Sequence, residues 1–237
     1  LERLEELTET EPTRIGCSAT IEPIDEIANL LVGRREPGGP ARECEIVDAR
    51  FDRPVDLQLE CPTDDLVRTP RETVRDRFYY RLDELIDAHH TTIVFTNSRS
   101  GAERVLHRLR EEAGYDEEDS GCHHGSLSKQ RRRRVEKQLK AGTLDVVTTS
   151  TSLELGIDMP TVDLLVQVGS PKSVAALLQR VGRAGHQVGE TVTGRVFALE
   201  RDDLVECAAA VERATAGDVD RVHVPANALD VAAQHVL

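Results

Sequence analysis

Arginines and glycines stand close together in residues 179–186, whose sequence is Gln-Arg-Val-Gly-Arg-Ala-Gly-His. Guanidinium groups bind phosphate oxygens through paired hydrogen bonds. Arg180 and Arg183 are three residues apart, which places them on one face of a helix, and the glycines let a ligand approach the backbone. These residues suit a ligand site, although a solvated arginine pair would have the same sequence, and the specificity of the segment comes from its order with the other polar segments.

A second polar segment has the sequence Thr-Asn-Ser-Arg-Ser-Gly at residues 96–101, directly after an apolar run. Hydroxyl, amide and guanidinium groups at the start of a helix suit a phosphate oxygen. The alternative is an ordinary helix N-cap by Ser98 or Ser100, and this segment alone favours the cap.

Two further segments also place polar residues after a predicted strand. Residues 122–128 (Cys-His-His-Gly-Ser-Leu-Ser) contain adjacent histidines, but no third ligand lies at a suitable spacing, so we predict no metal site. Residues 148–152 are five consecutive hydroxyl residues, which could bind successive backbone phosphates or form a polar turn. Ser128 is a plausible N-cap for the helix that follows it.

The composition limits the class of protein. The chain has 237 residues, 39% of them hydrophobic, which fits one large or two small domains. No apolar run approaches the ~20 residues of a membrane span and no signal peptide is present, so we expect a soluble, cytoplasmic protein. The five cysteines contain no Cys-x-x-Cys, which argues against a disulfide framework or a Cys-rich zinc site.

The charge is strongly acidic, with 43 acidic and 30 basic residues and a net charge of −13. Only four of the basic residues are lysines, a composition that resembles proteins of salt-loving microbes, although an acidic mesophilic protein would also fit. Net acidity argues against a nucleic-acid partner, because phosphate binding depends on lysine and arginine. The local polar segments must therefore decide whether a nucleic-acid partner is expected.

The elements needed to position these segments follow from hydrophobic periodicity. We predict short helices at 1–10 and 25–32, a strand at 15–20, a loop at 34–42, and strands at 45–49 and 55–60. A boundary is expected between residues 62 and 71. Beyond it, helices (72–88, 101–112, 129–140, 173–181, 202–214) alternate with strands (91–96, near 122, 144–149, 162–168, 193–199), which predicts an α/β fold with a mainly parallel sheet. Ligands bind such sheets in loops beyond the carboxyl ends of the strands.

Taken together, five segments resemble the ordered motifs of superfamily 2 nucleic-acid helicases, and most closely those of the Lhr (large helicase-related) family. The matching segments are Ser18-Ala19-Thr20 and residues 96–100, 123–128, 150–158 and 179–186. Most superfamily 2 relatives end the last motif with Arg, whereas His186 stands here, as in the Lhr branch. The family's Gly-x-x-x-x-Gly-Lys-Ser/Thr and Asp-Glu-x-His motifs are absent from this sequence.

The resemblance implies a RecA-like sheet with helices on both faces, preceded by the tail of another RecA-like lobe. The implied domains are 1–62 (end of lobe 1), 63–200 (lobe 2) and 201–237 (a helical lead into a truncated winged-helix domain). It also implies that ATP and Mg²⁺ are cofactors, with the Mg²⁺ ligands in the missing part of lobe 1.

The resemblance assigns roles residue by residue. The cofactor-binding positions are Gly156, Asp158, Gln179, Arg180, Arg183 and His186, with Gln179 and Arg183 catalytic, Arg183 as arginine finger and Arg180 bracing the motif. The positions that hold nucleic acid are Thr96, Asn97, Ser98, Arg99, His124, Gly125, Ser150 and Thr151. Ser18 and Thr20 would couple nucleotide state to nucleic acid.

The implied function is that of a second-lobe fragment of an ATP-dependent helicase, moving 3′ to 5′ on single strands and separating duplexes in DNA repair or related processing. The fragment alone is expected to lack ATPase activity. A non-catalytic single-strand-binding lobe is the alternative, and a doubly wound small-molecule enzyme is disfavoured because no Gly-x-Gly-x-x-Gly follows a strand. The sequence leaves open DNA, RNA or a hybrid as substrate.

Overall fold

The structure, a computed structural model, describes residues 2–18, 21–36, 38–48, 55–154, 159, 161–184, 191–225 and 228–236. The chain divides into two compact units, one formed by Leu1–Ala49 with Asp220–Leu237 and the other by Arg50–Val219.

The larger unit contains a six-stranded parallel sheet. Its strands in chain order are β1 (Val55–Glu60), β2 (Thr92–Thr96), β3 (Ser120–His123), β4 (Val146–Thr149), β5 (Leu164–Val168) and β6 (Val192–Phe197). Their order across the sheet is β1-β6-β5-β2-β4-β3, and every neighbouring pair is parallel. The predicted mainly parallel sheet is therefore confirmed.

Helices connect these strands and cover both faces of the sheet. They are α3 (Arg71–Asp87), α4 (Arg99–Arg108), α5 (Lys129–Ala141), α6 (Val174–Val181) and α7 (Arg201–Ala216), and a π-helical turn (Leu109–Ala113) extends α4. Side chains alternate along β2, so Ile93 and Phe95 pack in one apolar cluster with α5, α6 and α7, while Val94 packs in another with α3 and α4. All five residues of β2 are buried, as expected for a central parallel strand.

The smaller unit contains three helices among its described residues, α1 (Glu2–Leu7), α2 (Ile24–Val32) and α8 (Leu229–Val236). Arg14 and Arg42 both donate hydrogen bonds to the Glu5 carboxylate and to the Val32 carbonyl, which ties α1 to the end of α2.

Two predicted strands are wrong. The described parts of those segments, residues 15–18 and 45–48, have no strand structure. Ile15 and Val47 are more than 80% exposed, so these apolar side chains do not pack against a hydrophobic core as those of a strand would. The other predicted elements are confirmed, with ends that differ by a few residues.

The compact units divide the chain at residue 49/50 and again at 219/220. The physical reason is pairing: β1 forms a six-residue parallel ladder with β6, and α7 packs on the same sheet. The predicted domain ranges stay a prediction.

Candidate functional site

The polar segments lie at one edge of the sheet. Because β2, β4 and β3 are parallel neighbours, their carboxyl ends meet there, with Phe95 and His123 each in register with Thr149. On the other side of β2, Thr96 is in register with Val168 of β5. The three loops that follow β2, β3 and β4 therefore start side by side.

The loop after β2 is held by its own polar side chains. Thr96 is 4% exposed, and its hydroxyl lies 2.8 Å from the Ser98 carbonyl and 3.3 Å from the Thr149 carbonyl. Asn97 donates from Nδ2 to the Ser170 carbonyl at 2.8 Å, and the Ser98 hydroxyl accepts from the Gly101 N–H at 3.0 Å as the N-cap of α4. The Thr96 hydroxyl is thus engaged internally, whereas Asn97 and Ser98 remain exposed.

Arg99 joins this loop to the next one. Its Nη1 donates to the Ser126 hydroxyl at 2.6 Å, and both residues are exposed. Gly125 is exposed beside them, and a Cβ built on it would lie 3.8 Å from Arg99 Nη2. A guanidinium and a backbone without a side chain therefore face solvent together, which suits contact with a phosphate.

His124 is placed differently from the expectation. Its side chain is only 2% exposed, with Nε2 2.9 Å from Glu103 Oε1 and Nδ1 buried without a partner. The expectation that the His124 side chain touches nucleic acid needs correction, because the imidazole is enclosed by protein.

His123, for which no individual role was expected, organises the loops after β3 and β4. Its Nδ1 lies 2.7 Å from Ser152 Oγ and its Nε2 lies 3.1 Å from Glu136 Oε1. Its carbonyl accepts from Thr149 Oγ1 at 2.8 Å and from Ser152 Oγ at 3.0 Å. Burial lowers the pKa of His123, against the opposing effect of Glu136.

The run of hydroxyl residues at 148–152, which begins in β4, has two separate uses. Thr149 and Ser152 bind the His123 carbonyl, whereas the side chains of Ser150 and Thr151 make no hydrogen bond within the described ranges. Ser150 is 7% exposed and Thr151 is exposed. Thr151 is therefore the hydroxyl of this run most accessible to a ligand.

Arg180 is buried at the end of α6, and each of its three guanidinium nitrogens donates a hydrogen bond. Its Nε and Nη2 donate to Glu154 Oε1 at 2.8 and 2.6 Å, and its Nη1 donates to Gln167 Oε1 at 2.6 Å. The guanidinium also lies over the Phe95 ring, 5.3 Å from its centroid. These contacts enclose the guanidinium and fit the bracing role expected for Arg180, whereas a direct contact of Arg180 with the nucleotide stays a prediction.

Arg183 has a different environment from Arg180. Helix α6 ends at Val181, so Arg183 lies in the turn after it and the two arginines do not share a helix face as expected. Its Nε makes a 3.5 Å contact with the Gln179 carbonyl, and its two terminal nitrogens have no partner in the part of the chain that the structure describes. Gln179 and Arg183 are both half-buried and open to a ligand.

Four predicted site residues, Thr20, Gly156, Asp158 and His186, lie outside the described residues. Ser18 is exposed and belongs to the smaller unit. Sequence analysis missed Glu154, Gln167 and Glu136 as partners. An arginine inside a hydrophobic helix requires a buried carboxylate, and that requirement could have pointed to Glu154.

Comparison with known proteins matches residues 78–187 to the Helicase conserved C-terminal domain, a range that includes all three strand-end loops and α6. The ATP-dependent helicase Lhr-Core of Methanothermobacter thermautotrophicus is 45% identical over 100% of this chain and 27% of its own length. The Lhr helicase/probable uracil glycosylase of Mycolicibacterium smegmatis is 40% identical over 100% of this chain and 17% of its own length. A solved structure of Mycobacterium smegmatis helicase Lhr bound to ssDNA and AMP-PNP superposes with a TM-score of 0.85 at 43% identity, covering 99% of this chain and 30% of that one.

The chain belongs to the Lhr helicase family. It spans about a quarter of the length of the Lhr-Core relative. Its larger unit has the RecA-like fold expected from the resemblance.

In this Lhr-family chain, no described helix is long and apolar enough to cross a bilayer.

The residues of the Lhr motifs fall into two structural classes. Thr96, His123, His124 and Arg180 are buried and hold the loops in place, whereas Arg99, Gly125, Thr151 and Arg183 offer groups to a ligand.

Proposed function

We propose that this chain supplies the second RecA-like domain of an ATP-dependent Lhr-type helicase that translocates 3′ to 5′ on single-stranded DNA and separates duplexes. The observation that carries the proposal is the similarity to a helicase Lhr bound to ssDNA and AMP-PNP, which extends over 99% of this chain. The exposed groups at the carboxyl edge of the sheet support it, as do the terminal nitrogens of Arg183, which have no partner among the described residues.

Arg183 is the proposed arginine finger. Its terminal nitrogens are free among the described residues, so they fit a phosphate oxygen, and Gln179 lies on the preceding turn of α6. ATP would supply the phosphoanhydride bond that is hydrolysed. Arg183 would donate to the terminal phosphate, where a guanidinium neutralises charge that develops in the transition state.

Arg180 has the proposed role of fixing the end of α6. Because its three donor nitrogens are bound to Glu154 and Gln167, the helix end cannot rotate without breaking buried hydrogen bonds. This constraint would hold Arg183 in a fixed position relative to the sheet, as an arginine finger requires in order to reach the terminal phosphate.

The remaining nucleotide contacts rest on the family resemblance. Gly156, Asp158 and His186 are proposed to complete this half of the ATP site, with Ser18 and Thr20 coupling it to the strand. Mg²⁺ would be held by residues outside this chain. We therefore propose that the chain alone does not hydrolyse ATP.

For the nucleic acid, we propose that phosphates contact Arg99, the Gly125 backbone and the Thr151 hydroxyl, with Asn97, Ser98 and Ser150 adjacent. Most of these donors are neutral, so they fix the position of a strand without requiring a basic surface, which is compatible with the net charge of −13. Thr96 and His124 would act by holding the loops. A role in DNA repair is supported by the relative that is named a probable uracil glycosylase.

The deciding experiment measures single-strand-stimulated ATP turnover of the full-length protein, wild type against Arg183→Ala, with nucleotide binding measured separately. We expect a loss of at least about 10³ in turnover with ATP still bound. Arg201→Ala, on the exposed start of α7, is the matched control and should retain turnover. Unchanged turnover in Arg183→Ala would contradict the finger role, and a wild-type protein that binds strands without any turnover would favour the non-catalytic alternative.

A further inference from the structure

Helix α5 concentrates the positive charge of an acidic chain. Its sequence, Lys-Gln-Arg-Arg-Arg-Arg-Val-Glu-Lys-Gln-Leu-Lys-Ala, has seven basic residues and one carboxylate, whereas the whole chain has a net charge of −13. Three of the four lysines in the chain lie on this helix. None of the roles proposed above uses it.

Four of these basic residues form one row on the helix surface. Lys129, Arg133, Lys137 and Lys140 are all exposed and are separated by four, four and three residues, so they lie above one another. The buried residues of the helix, Val135 and Leu139, face the core. We call these four residues the α5 cation row; at 1.5 Å per residue it is about 16 Å long.

The charge of the α5 cation row is not balanced within the described structure. Arg134, which lies off the row, pairs with Glu117 at 3.5 Å, and Glu136, the single carboxylate of the helix, is bound to His123. No member of the row forms an ion pair or hydrogen bond from its side chain to any residue whose position the structure describes.

The row is also unfavourable for the helix itself. The first turn contains no acidic residue, although acidic residues are stabilising at that end of the helix dipole. Lys129, Arg133 and Lys137 follow one another at intervals of four, where like charges repel. Helix stability does not account for this arrangement, whereas a surface that binds an external anion would require it.

We propose that the α5 cation row binds the phosphate backbone of the single strand after it leaves the strand-end loops. The inference rests on the proposed function and extends the strand path. Helix α5 begins three residues after Ser126, which accepts a 2.6 Å hydrogen bond from Arg99, and β3, the strand before it, is an edge strand of the sheet. A strand that passes Arg99 and Gly125 therefore meets Lys129 next.

A polyanion fits the row better than an acidic protein surface does. The row repeats one charge about every 6 Å in a line, which suits a regular series of phosphates. Lysine and arginine side chains that touch only phosphates carry no sequence information, so the contact would be independent of base sequence.

The test uses the full-length protein with Lys129, Arg133, Lys137 and Lys140 all changed to Gln. The control changes four other exposed arginines of the same unit, Arg68, Arg71, Arg77 and Arg201, to Gln, which alters the net charge equally. We measure the binding of labelled oligo-dT of two lengths, about 8 and about 30 nucleotides, over a series of salt concentrations. Circular dichroism checks that each protein is folded at every salt concentration used.

We expect the row variant to lower the salt slope of binding to the long strand by about 3, since each phosphate contact to a single strand contributes about 0.7. Between 50 and 200 mM salt, wild type would then lose about 50-fold more affinity than the row variant. The short strand, bound at the loops, should show little change, and the control should behave as wild type.

A row variant with the wild-type slope on the long strand would overturn the proposal, and so would an equal effect of the control variant or an equal loss on both strand lengths. A fall in the melting temperature of the row variant with unchanged strand binding would also overturn it, in favour of an acidic protein contact. Failure of wild type to bind either strand would refute the proposed function instead, so the two failures are distinguishable.

Discussion

Replacing Arg180 with Met tests whether this arginine is structural. The guanidinium makes three hydrogen bonds of 2.6–2.8 Å to Glu154 and Gln167 and lies 5.3 Å from the centre of the Phe95 ring. Its side chain is 5% exposed and that of Glu154 is 17% exposed. Met fills a similar volume but supplies no donor, so the substitution isolates the loss of the polar contacts.

The expected cost is large because the partners stay buried. Removing one member of a buried ion pair leaves an uncompensated charge and costs about 3–5 kcal/mol. When Glu154 is also changed to Leu, the stranded carboxylate is gone. The double variant should then lose only about 1–2 kcal/mol, which is the cost of the Gln167 oxygen left without its donor.

Urea unfolding of the chain, followed by far-ultraviolet circular dichroism, measures these free energies. Arg183→Ala is the matched control: it removes an arginine three residues away whose side chain makes only one contact to the described residues, of 3.5 Å, so we expect a change within about 0.5 kcal/mol. A loss below about 1 kcal/mol for Arg180→Met, or a double variant less stable than the single one, would refute the reasoning.

Three other substitutions have defined outcomes. Gly142, at φ +65° after α5, leaves only 2.7 Å between an added Cβ and Thr161, so Gly142→Ala should lower the free energy of unfolding by about 1–2 kcal/mol in urea. Burial lowers the pKa of His123 below 6.5, so near that pH the unfolded chain takes up a proton that the folded chain does not. The free energy of unfolding should therefore fall as the pH drops below about 6.5. Thermal melts over a pH series should show a melting temperature that depends less on pH in His123→Gln than in wild type. Arg133→Gln removes the centre of two like-charge pairs and should raise unfolding free energy by about 0.4–1 kcal/mol, whereas a decrease would show that Arg133 has a stabilising partner.

Periodicity predicted the sheet and its helices because the strands are buried on both faces. β2 and β5 are nearly continuous apolar runs bounded by polar loops, which is the pattern of central parallel strands. The same criterion failed at Ile15 and Val47, where short apolar stretches are exposed. Local β propensity does not report whether a partner strand exists, so these two errors could not be avoided from one sequence.

The site was predicted at the level of segments but not of side-chain direction. The order of polar loops indicated that residues 96–101, 123–128 and 150–152 meet at one edge, and the parallel pairing places them there. Which of them point inward depends on tertiary partners such as Glu103 for His124 and Glu154 for Arg180. Each partner is more than 20 residues away in sequence from the residue that it contacts, so no local pattern encodes the contact.

The acidity of the chain and its proposed partner are compatible because electrostatic interactions are local. At physiological ionic strength a charge is screened within about 8 Å, so phosphates along the α5 cation row interact with the row far more than with carboxylates elsewhere. In molar salt the screening length falls to about 3 Å, and the row would contribute little. Hydrogen bonds from the neutral donors, the Gly125 backbone and the Thr151 hydroxyl, depend much less on salt, whereas the Arg99 guanidinium adds one salt-sensitive contact. The balance between these two modes of binding, rather than the net charge of −13, therefore determines how tightly a strand is held at a given ionic strength.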